Sequence, residues 1–128
     1  MASGFLAGKT NRDGTSNGSG RRTTADYPDF PPVDRERGHD VLDVLRAVAA
    51  RHEGSVPRVA LAWLLAQPAV TSVIVGARRE DQLTDNIDAS GLALTEQDLR
   101  ELDKVSVLAP SYPNWIQQLF APARDVNG

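Results

Sequence analysis

Residues 70–86 read Val70-Thr71-Ser72-Val73-Ile74-Val75-Gly76-Ala77-Arg78-Arg79-Glu80-Asp81-Gln82-Leu83-Thr84-Asp85-Asn86. The first six are β-branched except Ser72, and their nearly continuous apolar end predicts a strand of the parallel kind, covered on both faces. Gly76-Ala77 turns the chain, and Arg79 to about Ala89 predicts a helix with Leu83 and Ile87 facing inward. No other stretch reads as a convincing strand. A single buried strand of this length leaves roughly a dozen backbone donors and acceptors unpaired, at about 1–3 kcal/mol each when dry. That rivals the roughly 5–15 kcal/mol stability of a whole domain. The segment is therefore part of a larger fold, or pairs with another chain, or is not a strand at all. The first of these is the favoured expectation.

Working outward, helices surround this segment. Asp40 to about Glu53 is amphipathic, with Val41, Leu45, Val48 and His52 on one face and Leu42 and Ala49 beside them. Gly54 stops it, Ser55 can cap the next helix, and Pro57 sits in the first turn, where no backbone donor is needed. That second helix carries Val59, Ala60, Leu61, Trp63, Leu64 and Leu65 and ends at Gln67-Pro68. Being apolar nearly all round, it predicts deep burial. Beyond Gly91, Thr95 and Asp98 fit an N-cap with an acidic third position, stapled by Leu94 and Leu99, and Leu99, Leu102 and Val105 form the inner stripe of a last helix.

The ends are less structured. Asn11 to Arg22 is rich in small polar residues that cannot offset the entropy of ordering, and Tyr27-Pro28-Asp29-Phe30-Pro31-Pro32 is stiffened by proline. The tail from Pro110 holds Tyr112, Trp115, Leu119 and Phe120 without firm periodicity. Three regions follow: 1–38, an initial loop with a flexible stretch; 39–108, the helices and the strand; and 109–128, the tail. A net charge of -3 with mixed signs gives no case for nucleic acid or an anionic membrane. With no cysteine there is no disulfide framework, and the N-terminus lacks the pattern of a secretory signal. The longest apolar run, Val59 to Ala66, is far short of the roughly 20 residues that span a bilayer. A cytoplasmic protein is the default expectation.

The chemistry concentrates after the strand. A helix N-terminus offers free N–H groups and a positive dipole end, Gly76 and Ala77 allow close approach to the backbone, and an arginine can grip a phosphate bidentately. Gln82 and Asn86 lie four and eight positions beyond Arg78, on one stripe, where amides can read the edge of a flat heterocycle. Taken singly, two arginines at a helix start ordinarily just face solvent, and Glu80 and Asp81 weaken the local field.

As a whole, the Gly-Ala-Arg turn with Gln82 and Asn86 resembles the cofactor segment of the aldo-keto reductases. So does the block from Val59 through Gln67-Pro68 to Gly76, and Ala2-Ser3-Gly4-Phe5-Leu6-Ala7-Gly8-Lys9 resembles the family's loop after its seventh barrel strand. The three matches occur in the family's order. The resemblance implies the α/β class and the C-terminal fragment of a (β/α)8 TIM barrel, mostly helical, with one main strand at about 70–76. Barrels of this kind often build a phosphate site from the loops after strands seven and eight.

The resemblance further implies NADP(H) as cofactor. Ala2, Ser3, Leu6, Gly8 and Lys9 would serve the pyrophosphate. Gly76, Ala77, Arg78, Gln82, Asp85 and Asn86 would serve the adenosine end, with Arg78, alone or together with Arg79, on the 2′-phosphate. Asp85 has three open readings: a ribose contact, a group orienting Arg78, or an exposed helix carboxylate. A small carbonyl or alcohol would be the substrate of the whole protein. The family's Tyr general acid and its Lys, Asp and His helpers lie on earlier barrel strands. Tyr27, Tyr112, His39, His52 and Lys104 lie outside any matching context, so no catalytic residue is assigned, and the chain alone is expected to be inactive. His52, on an apolar face, is expected to be packed and hydrogen-bonded. Trp115 has two open readings, a substrate-pocket wall or a tail anchor. Met1 falls at an interior loop position of the family, so a truncated or misassigned start is expected. The alternative is a non-catalytic helical interaction or cofactor-sensing module, a role compatible with the family because potassium-channel β subunits belong to it.

Overall fold

The structure, a computed structural model, describes residues 2–13, 15 and 34–107. Most of the 10–38 loop, the proline-rich stretch with Tyr27, and the tail with Tyr112 and Trp115 lie outside the described residues. Among the described residues four α-helices carry the fold: α1 (Arg35–Arg51), α2 (Val56–Leu65), α3 (Glu80–Asp88) and α4 (Glu96–Ser106). Short 3-10 turns span Ala2–Ala7 and Ala89–Gly91.

α1 starts five residues before the expected Asp40, because Asp34 caps it by accepting a hydrogen bond from the Arg37 amide at 3.1 Å. It therefore runs across the boundary at 38 drawn from composition. Its buried stripe of Leu42, Leu45, Val48 and Ala49 meets Phe5, Val59, Ala60 and Leu102 in one core. The chain leaves α1 through Glu53, the residue that takes the left-handed conformation (φ 49), and Gly54 donates its amide to the Ala49 carbonyl at 3.0 Å. Gly54 was the expected stop; the tight turn falls one residue earlier.

α1 lies between α2 and α4. Its pairing with α4 is antiparallel, and polar ties hold both ends. Near the start of α1, Arg37 donates to the Ser106 carbonyl at 3.0 Å. At the far end, Arg51 donates to Asp98 at 2.6 Å and the His52 ring meets it at 2.7 Å. Asp98 also closes the expected capping box with Thr95. His52 is thus the hydrogen-bonded histidine that its place on the helix suggested. The burial of Asp98, only 1% exposed, was not foreseen.

The expected strand is corrected. Residues 72–77 belong to no ladder, and among the described residues only Thr10 makes an isolated bridge. Ile74 is fully exposed and Val75 is 40% exposed. The physical reason is the one that made the segment suspect: a strand exists by hydrogen-bonding to neighbours, and none flanks it among the described residues. Two related expectations shift with it. Leu83 and Ile87 do not face inward but are exposed, and α2 buries Val59 to Ala62 while leaving Leu65 outward. Trp63 is half-buried and donates its indole N–H to Asp103 of α4 at 2.8 Å.

Asp98 yields a stability test. Burial opposes its ionisation, but hydrogen bonds from His52, Thr95 and Arg51 outweigh that and hold its pKa well below the ordinary carboxylate range. A depressed folded pKa contributes stability that is complete above the unfolded value of about 3.9 and is lost as pH falls below it. Asp98→Asn should cost about 1–3 kcal/mol in urea denaturation near neutral pH. The gap between variant and wild type should narrow as the pH falls from about 5 to about 2. A gap independent of pH would remove the ionised carboxylate from this role.

Candidate cofactor-binding site

Two segments singled out from the sequence converge on one end of α2. The first is the loop 2–9. Gly4 and Gly8 both have positive φ (93 and 75), a conformation open to glycine without steric cost, and they bracket the turn that sends Phe5 inward. Ala2 and Ser3 contribute the backbone that opens this turn. Leu6 packs partly against the core. The Gly8 carbonyl accepts from Arg46 of α1 at 3.4 Å, and a β-carbon on Gly8 would lie 3.5 Å from Val56, the first residue of α2. Lys9 is half-buried and has no acidic partner among the described residues.

The second segment reaches the same end of α2 from α3. Ser55, the α2 N-cap, donates its hydroxyl to Asp85, and Arg58 donates to Asp85 at 3.0 Å and to Asp88 at 3.0 Å. Asp85 is thus neither an exposed carboxylate nor a partner of Arg78. It faces α2 and ties α3 to the first turn of that helix. Two side chains that carry this arrangement, Arg58 and Asp88, were not singled out from the sequence. The signal was available in retrospect: Asp85 and Asp88 lie three apart on one helix face, opposite an arginine in the first turn of a capped helix.

At the head of α3 the charges are unequal. Arg79, the N-cap residue, turns its guanidinium onto exposed Asp81, with one contact at 2.9 Å. That hydrogen-bonded pairing raises the Arg79 pKa and lowers that of Asp81. Arg78 is exposed, and its guanidinium pairs with no side chain among the described residues. Its backbone amide donates to the Gln82 side-chain oxygen at 3.3 Å, so Gln82 closes the helix start while its amide nitrogen stays available. Gly76 and Ala77 are exposed, with open space where a β-carbon on Gly76 would stand, and Asn86 is half-buried one turn beyond Gln82.

A loop of left-handed glycines and an arginine-headed helix are thus both seated on the N-terminal end of α2. Comparison with known proteins makes the class specific. The Aldo/keto reductase family profile matches residues 1–107, and the chain belongs to that family. It is 36% identical over 93 residues to an aryl-alcohol dehydrogenase of Pestalotiopsis microspora, covering 68% of this chain and 24% of that protein. An L-glyceraldehyde 3-phosphate reductase of Escherichia coli is 35% identical over 75 residues, covering 58% of this chain and 22% of the relative. An aldo-keto reductase of Emericella nidulans is 40% identical over 70 residues, covering 54% and 18%. The chain spans under a quarter of the length of each of these relatives. No helix among the described residues is long and apolar enough to cross a membrane.

The placement of Asp85 separates its readings. If it holds α3 onto α2, Asp85→Ala should cost about 1–2 kcal/mol in urea denaturation, because its two half-buried donors lose a charged acceptor. A pure ribose contact would leave the stability of the free protein unchanged.

Proposed function

We propose that this chain is the cofactor-gripping C-terminal portion of an NADP(H)-dependent carbonyl or alcohol oxidoreductase of the (β/α)8 type. The observation that carries the reading is that the 2–9 loop and α3, the latter through Asp85 and Asp88, are both seated on the N-terminal end of α2. General barrel geometry supports it, since the loops after the last two strands commonly form a phosphate site. The residues fit a phosphate-bearing dinucleotide. Arg78 and Lys9 are cations without acidic partners among the described residues, and Gly76 leaves the backbone open to approach.

In this reading the backbone of residues 2–8 and Lys9 hold the pyrophosphate, Arg78 holds the 2′-phosphate, and Gln82 and Asn86 meet the adenosine. Asp85 contributes by placing α3. Arg79 is the weaker phosphate ligand, because binding there would first have to release Asp81. When bound, the nicotinamide supplies or accepts hydride. The residues on this chain bind and orient, and the proton-transferring groups belong to the remainder of the barrel. Small carbonyls or alcohols are the substrate class, and NADP dependence rests on Arg78.

The half-site can be tested with a half-ligand. Adenosine 2′,5′-bisphosphate should bind the chain about tenfold more tightly than adenosine 5′-monophosphate in calorimetric titration, the increment of one charge-assisted bidentate contact. Arg78→Ala should erase that difference, whereas Arg79→Ala should leave most of it. Equal affinity for the two nucleotides in the wild type would sink the assignment of NADP(H).

A further inference from the structure

The loop 2–9 owes its position to one aromatic side chain seated in a notch on α1. Phe5 is 4% exposed, the deepest residue of its segment. Its ring lies over Gly38, where a β-carbon would stand only 2.6 Å from Cε1 and 3.1 Å from Cζ. Real side chains do not tolerate that approach, and the ring, enclosed in the core, is not a flexible tip that can swing aside. The neighbouring face of the notch is His39, whose ring centroid is 5.2 Å from that of Phe5 at an interplanar angle of 59°. His39 is itself 5% exposed, and its Nδ1 is buried without a hydrogen-bond partner among the described residues. A histidine kept at that cost is one whose ring surface matters more there than its nitrogen. Gly38 is equally out of place by propensity, since it stands inside α1, where glycine is the poorest of the ordinary residues. Both oddities have one explanation, which is room and a wall for Phe5.

We propose that Phe5, held by Gly38 and His39, is the positioning residue of the cofactor loop. The anchor is bracketed by the two left-handed glycines, so fixing one ring fixes the path of the backbone from Gly4 to Gly8. The Arg46 contact to the Gly8 carbonyl then sets the far end. Phe5 touches no ligand; it acts by presenting the loop's amides and Lys9 in one arrangement. This deepens the proposed function and rests on it for the identity of the ligand, but the anchoring itself does not.

The test separates the two. In amide hydrogen exchange on the 128-residue chain without ligand, Phe5→Ala and Gly38→Ala should each speed exchange of residues 4–9 by about tenfold or more. Amides of α4 should keep their wild-type rates. Adding Gly38→Ala to Phe5→Ala should bring no further loss, because the ring it would displace is gone. Phe5→Leu, which fills part of the notch, should restore most of the protection. Unchanged exchange in Gly38→Ala, or equal loosening of α1 and α4, would overturn the anchor. For the ligand half, Phe5→Ala should weaken NADP+ binding by about tenfold through loss of preorganisation. Binding of adenosine 2′-monophosphate, which needs only the α3 side, should not change. Equal weakening of both ligands would assign Phe5 a general structural role and overturn the positioning role. Absence of NADP+ binding to the wild type would overturn the cofactor half together with the proposed function, while the exchange result still decides the anchor.

Discussion

A buried carboxylate holds α1 and α4 in register. Asp98 receives hydrogen bonds from both ends of the junction it makes: Arg51 and His52 at the end of α1, Thr95 at the start of α4. An ionised group this deeply enclosed is tolerable only when its lone pairs are filled, and here five donor atoms fill them. The same atoms complete the α4 capping box, so one side chain ends one helix and begins another. With α4 fixed on one flank, α1 has its remaining faces free for α2 and for Phe5. The ties that set the 2–9 loop, the Gly8 carbonyl on Arg46 and the ring in the Gly38 notch, are made on that helix, whereas α3 is tied to Ser55 and Arg58 at the start of α2.

The second constraint works by what lies beside it. Residues 70–75 have the composition of a buried strand, yet Ile74 and Val75 stand exposed, and Leu65 of α2 and Leu83 and Ile87 of α3 stand exposed with them. Those positions share one cause: their apolar side chains match a sheet, and no sheet lies among the described residues. The family match and the small share of each relative that the chain spans give that surface its context. The site tolerates this better than the strand does. Its parts are held by helix-to-helix contacts that do not pass through residues 70–75.

Helices were legible from periodicity and caps. Ser55 before Pro57 and Thr95 before Asp98 announced the starts of α2 and α4, and the stripe through Leu42, Leu45 and Val48 announced the buried face of α1. α1 starts before the expected Asp40 because Asp34 caps it, and Gly38, a poor helix residue by propensity, stands inside it beneath the ring of Phe5. Of the candidate ligands, Gln82 and Asn86 fall one turn apart on α3 as helical spacing predicts, whereas Arg78 precedes the Arg79 N-cap and stands outside that helical stripe. The place of Asp85 was not legible: its neighbours on the chain say nothing of Ser55 and Arg58, which lie 30 and 27 residues away.

What the amino-acid order alone determined is therefore what depends on near neighbours: helix caps, apolar stripes, the glycines of the 2–9 loop and the arginine-headed turn. It also carried the family, because the motifs are contiguous. Only the tertiary structure decided which groups are occupied. Arg79 is held by Asp81 while Arg78 is not, Asp85 of α3 is tied to α2, and Asp98 is buried. It also decided the fate of residues 70–75, for a physical reason. A helix closes its hydrogen bonds within itself, whereas a strand borrows its partners from elsewhere, and β-propensity without a neighbour yields only an extended chain.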